Sequence, residues 1–188
     1  MRIVVERQPV RRFLKWTQRA FAVAAVVSLA CCAFVLTDSW TFQKKARREL
    51  EHPAAAIVPK GLTGRIEIPR LGVSVMVMEG DDENTLRRAV GHISGTTLPG
   101  CPGNVGLAGH RDTFFRPLRK IRQDDLITLT TPAGEYRYRV VSTKIVAPSA
   151  VWVLNAGPEE VLTLVTCYPF YFVGPAPNRF IVRAERIA

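Results

Sequence analysis

The chain has no CxxC pair, no internal repeat and no low-complexity tract, and it is short of acidic residues. Without paired cysteines there is no metal-binding signature. Cys31 and Cys32 are adjacent inside an apolar run, and Cys101 and Cys167 stand alone. Without a repeat there is no solenoid. Its 188 residues suffice for one domain with a real core and are too few for two. Two lone cysteines in an extracytoplasmic domain can form one disulfide, but a domain of this size does not require it. The alternative is that at least one of them is a working thiol.

The shortage of acids, 16 Asp+Glu against 26 Lys+Arg, gives a formal net charge of +10 and invites a nucleic-acid reading. The location of the excess argues against it. Residues 1–36 hold six basic residues and one acid, and residues 37–60 hold five and three. From Gly61 onward 15 basic residues face 12 acidic ones. The surplus therefore flanks an apolar run, where basic residues set membrane topology. No nucleic-acid partner is expected.

That run, Ala20 to Leu36, has 17 residues without a charge and lies between Trp16 and Trp40. Its length is at the short end of what spans a hydrocarbon core, and the tryptophans suit the two interfaces. Arg11, Arg12, Lys15 and Arg19 crowd its N-terminal side, whereas residues 37–43 contain no Lys or Arg. The positive-inside rule then predicts a single-pass protein of the cell membrane, N-terminus cytoplasmic, with the rest outside. The following TDSWTFQKK offers no small-x-small cleavage site, which favours an uncleaved anchor over a signal peptide. Neither Cys31 nor Cys32 has lipoprotein spacing, so both read as membrane-buried thiols. The predicted division is a basic cytoplasmic segment at 1–19, the anchor at 20–36, a helical stem and tether at 37–60, and an extracytoplasmic domain at 61–188.

From Gly61 the texture changes to short β-branched runs bounded by Gly and Pro, with almost no helical periodicity. Strands are predicted at Gly64–Ile68, Val73–Met78, Asn104–His110, Asp125–Thr130, Glu135–Val146, Glu160–Thr166 and Arg179–Ile187. Asp81 or Asp82 opens a short helix through about Val90, with acids at the positive end of its dipole. Seven or eight strands with little helix mean an all-β sandwich or closed barrel.

Two segments carry candidate chemistry. Asn104-Val-Gly-Leu-Ala-Gly-His110 puts a histidine at the end of a glycine-rich strand, and Leu162-Thr-Leu-Val-Thr166-Cys167 puts a cysteine at the end of an apolar one. A nucleophilic thiol needs a nearby imidazole, because the thiolate attacks and the leaving amine must be protonated. By themselves the residues leave a blander alternative open: a buried small hydrophobe and a structural histidine.

TLVTCYP, followed by Asn178-Arg179-Phe180-Ile181-Val182-Arg183, resembles the signature of the sortases, a TLxTC strand with an arginine opening the next. Pro99 to Leu118, PGCPGNVGLAGHRDTFFRPL, resembles the segment with that family's essential histidine. The similarity extends over about Gly64 to Ile187 and looks most like class D. It implies an eight-stranded β-barrel with one or two short helices and catalytic residues Cys167, His110 and Arg179. It also implies a cysteine transpeptidase that cleaves an LPxTG-like sorting signal after Thr and passes the thioacyl group to an amine. The implied partners are secreted proteins with a C-terminal LPxTG-like motif, and an acceptor amine on a peptidoglycan precursor or a pilin lysine. No metal or organic cofactor is needed. The alternatives are a peptidase of the same fold acting mainly by hydrolysis, or an inactive anchored scaffold.

Other residues carry split readings. Thr166 either helps the oxyanion region or is a β-former at a strand end. His92 reads as structural or substrate-adjacent, and Asp112 as a turn residue. Cys101 reads as an ordinary exposed thiol. Tyr168 and Pro169 open a segment through Pro177 with four aromatics and three prolines, suited to an apolar wall for a Leu-Pro peptide or simply to packing on the barrel.

Overall fold

Runs of Val, Ile, Leu and Thr separated by Gly and Pro become strands, because branched side chains fit a pleated surface and the breakers end each ladder. The computed structural model describes residues 8–51 and 62–187. A long helix, α1 (Gln8–Glu51), precedes β1 (Leu62–Ile68), β2 (Val73–Glu79), α2 (Glu83–Arg88), β3 (Val90–His92) and β4 (Gly103–Ala108). Then come β5 (Leu126–Thr131), β6 (Gly134–Val146), β7 (Glu160–Tyr168) and β8 (Asn178–Ile187). The strands close into a barrel in the order β1-β2-β3-β4-β7-β8-β6-β5. Of the two architectures left open by the strand count, the barrel is the one formed. Closure removes the unpaired edges that a sandwich would expose.

The interior is one apolar cluster that includes Ile66, Ile68, Val105, Leu107, Phe115, Ile127, Tyr138, Leu162, Leu164 and Val182, all at 1% exposure or less. Alternation along β8 decides what faces it: Val182 and Ala184 point inward, leaving Arg179, Ile181 and Arg183 on the outer face. Two strand pairs are parallel, β2 with β3 and β4 with β7. The second brings the histidine segment beside the cysteine strand.

The turns follow their residues. Gly72 takes a left-handed conformation at φ 65°, closing the one-turn 3-10 segment Pro69–Leu71 between β1 and β2. Asp82 caps α2, accepting from the backbone N–H groups of Asn84 and Thr85. The helix stops at Arg88, two residues before the predicted end, because Val90–His92 join the sheet as β3. All three β3 residues are buried, so no polar–apolar alternation announced the strand.

Asp125, 6% exposed, fastens the turn before β5. It accepts from the Arg70 guanidinium and, at 2.8 Å, from the Arg122 N–H. The bonds from Arg70, helped by the Arg122 N–H, hold its carboxyl below the usual value of 3.8 despite burial. A depressed folded pKa means that this stabilisation is complete above the ordinary carboxyl range and fades as pH falls through the lowered value. Asp125→Asn should therefore destabilise the barrel at pH 7 by about 2 kcal/mol. Chemical denaturation at pH 7 and pH 3 should show the gap to wild type narrowing in acid.

Around Thr41 the chain divides into two compact units. In the first, Phe21, Leu29 and Phe34 expose most of their apolar surface. Among the described residues, α1 is the helix long and apolar enough to cross a membrane. In the second, the last turns of α1 dock on β2. The Gln43 amide accepts from Met76 N–H at 2.8 Å and donates to Arg88 carbonyl at 2.6 Å, while Phe42 and Ala46 pack on Met76 and Met78. Because β3 pairs only with Val77–Glu79, Met76 N–H would otherwise lack a strand partner on that side. The helix runs through residues 37–51 of the segment predicted as stem and tether. The remainder of that segment, after residue 51, lies outside the described residues.

Candidate active site

Cys167 and Arg179 are direct cross-strand partners on β7 and β8. Both sit on the outer face, one pair before the end of the ladder, near where the chain leaves the barrel. His110 arrives from the neighbouring strand, two residues beyond the end of β4, so the predicted strand through His110 is shorter than expected. Two bonds fix that approach. Gly109 N–H donates to the Val165 carbonyl at 3.1 Å, and the buried Thr166 hydroxyl donates to the Gly109 carbonyl at 2.7 Å. The residue before His110 is thereby clamped to the two residues before Cys167. Position 109 must be glycine here, since a Cβ would lie 2.7 Å from the buried Phe115 ring.

Cys167, His110, Arg179 and Thr166 all line one groove of about 440 Å³. Its wall includes Val151, Val153 and Leu154, from a 3-10 segment between β6 and β7. Asn104, 1% exposed inside an otherwise apolar strand, pins this segment. Its amide donates to the Val153 carbonyl at 3.0 Å and its oxygen accepts from the Thr163 hydroxyl at 2.8 Å. A buried asparagine with every bond directed is the kind of polar group a core keeps for positioning. Sequence reasoning passed over it; a lone amide in an apolar strand was the available signal.

The Arg179 Nη1 donates to the Asn178 carbonyl at 3.0 Å and the Ala176 carbonyl at 3.3 Å. Nε and Nη2 carry three further N–H donors of the guanidinium. Arg111 was also overlooked. Its Nη1 donates to the Pro169 carbonyl at 2.9 Å, and its Nη2 donates to Phe172 and Gly174 carbonyls at 2.8 and 2.9 Å. One guanidinium therefore straps the whole β7–β8 loop to the residue beside His110.

The remaining candidates lie elsewhere. His92 is 2% exposed, with Nδ1 2.8 Å from a Glu79 carboxylate oxygen and Nε2 3.0 Å from the Thr97 carbonyl. It ties β3 to the loop before β4 and does not line the groove. Tyr168 stacks on Phe180 and meets Phe170 edge-on, so the loop's first aromatics pack on the barrel. Pro169 offers its carbonyl to Arg111. Cys101 is an exposed free thiol in the loop before β4, and Cys167 is free and half-buried. Among the described residues no cluster of His, Cys, Asp or Glu could hold a metal ion.

The sequence model of the sortase domain family matches residues 66–187, the whole barrel apart from the start of β1. The chain belongs to the sortase family. It is 37% identical to Sortase D of Bacillus subtilis over 126 residues, 66% of this chain and 64% of that one. The structure of a Sortase D5 transpeptidase from Clostridium perfringens superposes with a TM-score of 0.67 at 26% identity, covering 80% of this chain and 98% of that one. Sortase A from Corynebacterium diphtheriae gives 0.64 at 30% identity, covering 68% and 61%. The chain spans 42% to 64% of the curated relatives it matches. The barrel is therefore a fold shared with other sortases.

The clamp on Gly109 has a measurable consequence. Thr166→Val keeps the side-chain volume but leaves the Gly109 carbonyl without its hydroxyl donor. We expect kcat to fall about tenfold, because small displacements of a reacting group are costly. Steady-state kinetics beside a thermal melt would separate this from simple destabilisation.

Proposed function

We propose that this sortase is a membrane-anchored cysteine transpeptidase acting on secreted proteins with an LPxTG-like sorting signal. The observation that carries the reading is the convergence of the Cys167 thiol, the His110 imidazole and the Arg179 guanidinium on one groove at the ends of three adjacent strands. Cys167 Sγ attacks the threonyl carbonyl carbon, forming an S–C bond, and the C–N bond to the next residue breaks. His110 gives a proton to the departing amine. Arg179 stabilises the oxyanion through guanidinium N–H donors beyond those engaged by its own loop. An incoming amine then attacks the thioester, His110 takes its proton, and the C–S bond breaks to return the thiolate. A peptidoglycan precursor or a pilin lysine fits the acceptor's role, and water resolves the thioester more slowly.

The test is an acyl-enzyme trap. The full chain in detergent is mixed with an LPxTG peptide, quenched in acid and digested. A thioacyl adduct on the Cys167 fragment, discharged by added glycine peptides, is expected. Intact peptide across a library of such motifs, with no adduct, would refute the reading.

Residues 20–36 serve as the anchor, with the N-terminus in the cytoplasm. The charge asymmetry and the exposed apolar helix support this. Sequencing the N-terminus of membrane-purified protein should find it before Ala20; a start at or beyond Thr37 would overturn the assignment.

A further inference from the structure

The strand register lays out the outer face of the β7–β8–β6 sheet as three rows. The first holds Cys167, Arg179 and Val146; the second Val165, Ile181 and Lys144; the third Thr163, Arg183 and Ser142. A second cavity of about 180 Å³ occupies the last two rows and shares Val153 and Ile181 with the groove around Cys167. It is therefore an extension of that groove along the same face. Its charged members are Lys144 and Arg183, and no acid among the described residues lines it. Trp152, 56% exposed, flanks it, with the Lys144 ammonium 5.8 Å from the ring centroid. The wall is firm, since Asn104 holds Val153 by its carbonyl. On this face the next acid along β8 is Glu185, one row farther out and opposite Arg139 of β6.

We propose that Lys144 and Arg183 form a carboxylate-binding subsite for the acyl part of the substrate, selecting an acidic residue just upstream of the sorting motif. This rests on the transpeptidase reading above and adds a specificity to it. The sheet order decides which side of the substrate lies there. His110 comes from β4, on one flank of β7, and must face the leaving and incoming amines. The cationic cavity lies on the other flank, over β8 and β6. The acyl segment thus runs away from His110 toward it. Arg183 is four residues from Arg179, about 13 Å along the strand, and an extended peptide covers that span in four residues. Counting back from the threonine at Cys167, the side chain reaching Arg183 is the one immediately before the leucine of a Leu-Pro-x-Thr motif. A planar guanidinium and an ammonium lining one cavity suit a carboxylate.

The experiment uses the full chain in detergent and four peptides. Three differ only in Glu, Gln or Lys immediately before Leu-Pro-x-Thr-Gly, and the fourth carries Glu two residues after the scissile bond instead. Wild type should prefer Glu over Lys by about tenfold in kcat/KM, expressed in KM, with Gln between. The preference should shrink at 1 M salt, as an exposed charge contact must. Lys144→Gln/Arg183→Gln should lose it, and Arg183→Glu should reverse it, each verified as folded by its thermal melt. Equal use of all three upstream peptides by wild type would overturn the subsite while leaving the transpeptidase standing. A preference confined to the downstream glutamate would overturn it too, by assigning the cavity to the other side. Cleavage of none of the peptides would refute the transpeptidase reading and this subsite with it.

Discussion

Cys167→Ala should abolish cleavage of an LPxTG-like peptide, lowering kcat by at least about 10³-fold, whereas Cys101→Ala should keep most of the activity. Both cysteines are free thiols of the barrel unit, and both are accessible to some degree. Their surroundings differ. Cys167 is half-buried in the groove, opposite Arg179 across the ladder, with the preceding two residues clamped to the His110 segment. Cys101 is exposed on a loop and lines no part of that groove. Removing the proposed nucleophile would eliminate the covalent route altogether, so the deficit belongs in kcat and not mainly in KM. A methanethiosulfonate reagent should inactivate wild type and Cys101→Ala alike, and a small thiol should restore both. If Cys101→Ala were the dead variant and Cys167→Ala the active one, the reading of the groove would be wrong.

The parts of this arrangement that were legible in the sequence are those encoded locally. Asp81 or Asp82 announced the opening of α2, the break between Thr130 and Glu135 separated the strands that became β5 and β6, and TLVTCYP marked the end of β7. What joins them was not legible. The parallel pairing of β4 with β7 connects segments about 57 residues apart, and no local pattern specifies such a partner. The three-residue β3 is buried throughout and shows no alternation. The groove wall at Val151–Leu154 is a 3-10 segment held by a single asparagine, and it reads as loop by composition. Arg111 illustrates the same limit. Next to a motif histidine it looks like part of a signature, yet its work is to collect three carbonyls from a loop some 58 to 63 residues away.

His110→Ala should cost about 10² to 10⁴ in the acylation burst with a peptide substrate, the range for a positioned acid or base. The magnitude follows from the leaving group. An amine expelled as its anion is prohibitively basic, so the C–N bond breaks only if a proton arrives with it. His110, held beside Cys167 by the Gly109 clamp, is the titratable imidazole lining the groove. This predicts a dependence on the leaving group that a structural role would not produce. A thioester carrying the same acyl peptide expels a thiolate, which departs without protonation. With that substrate the variant's deficit should shrink by at least tenfold, because only the help His110 gives in forming the Cys167 thiolate is then missing. Arg179→Ala should behave differently and lose activity on both substrates, since the oxyanion forms whichever group departs. Acylation rate constants from rapid-quench measurements on wild type and both variants give the comparison. An equal loss on amide and thioester by His110→Ala would remove His110 from its acid role and leave it as a positioning residue.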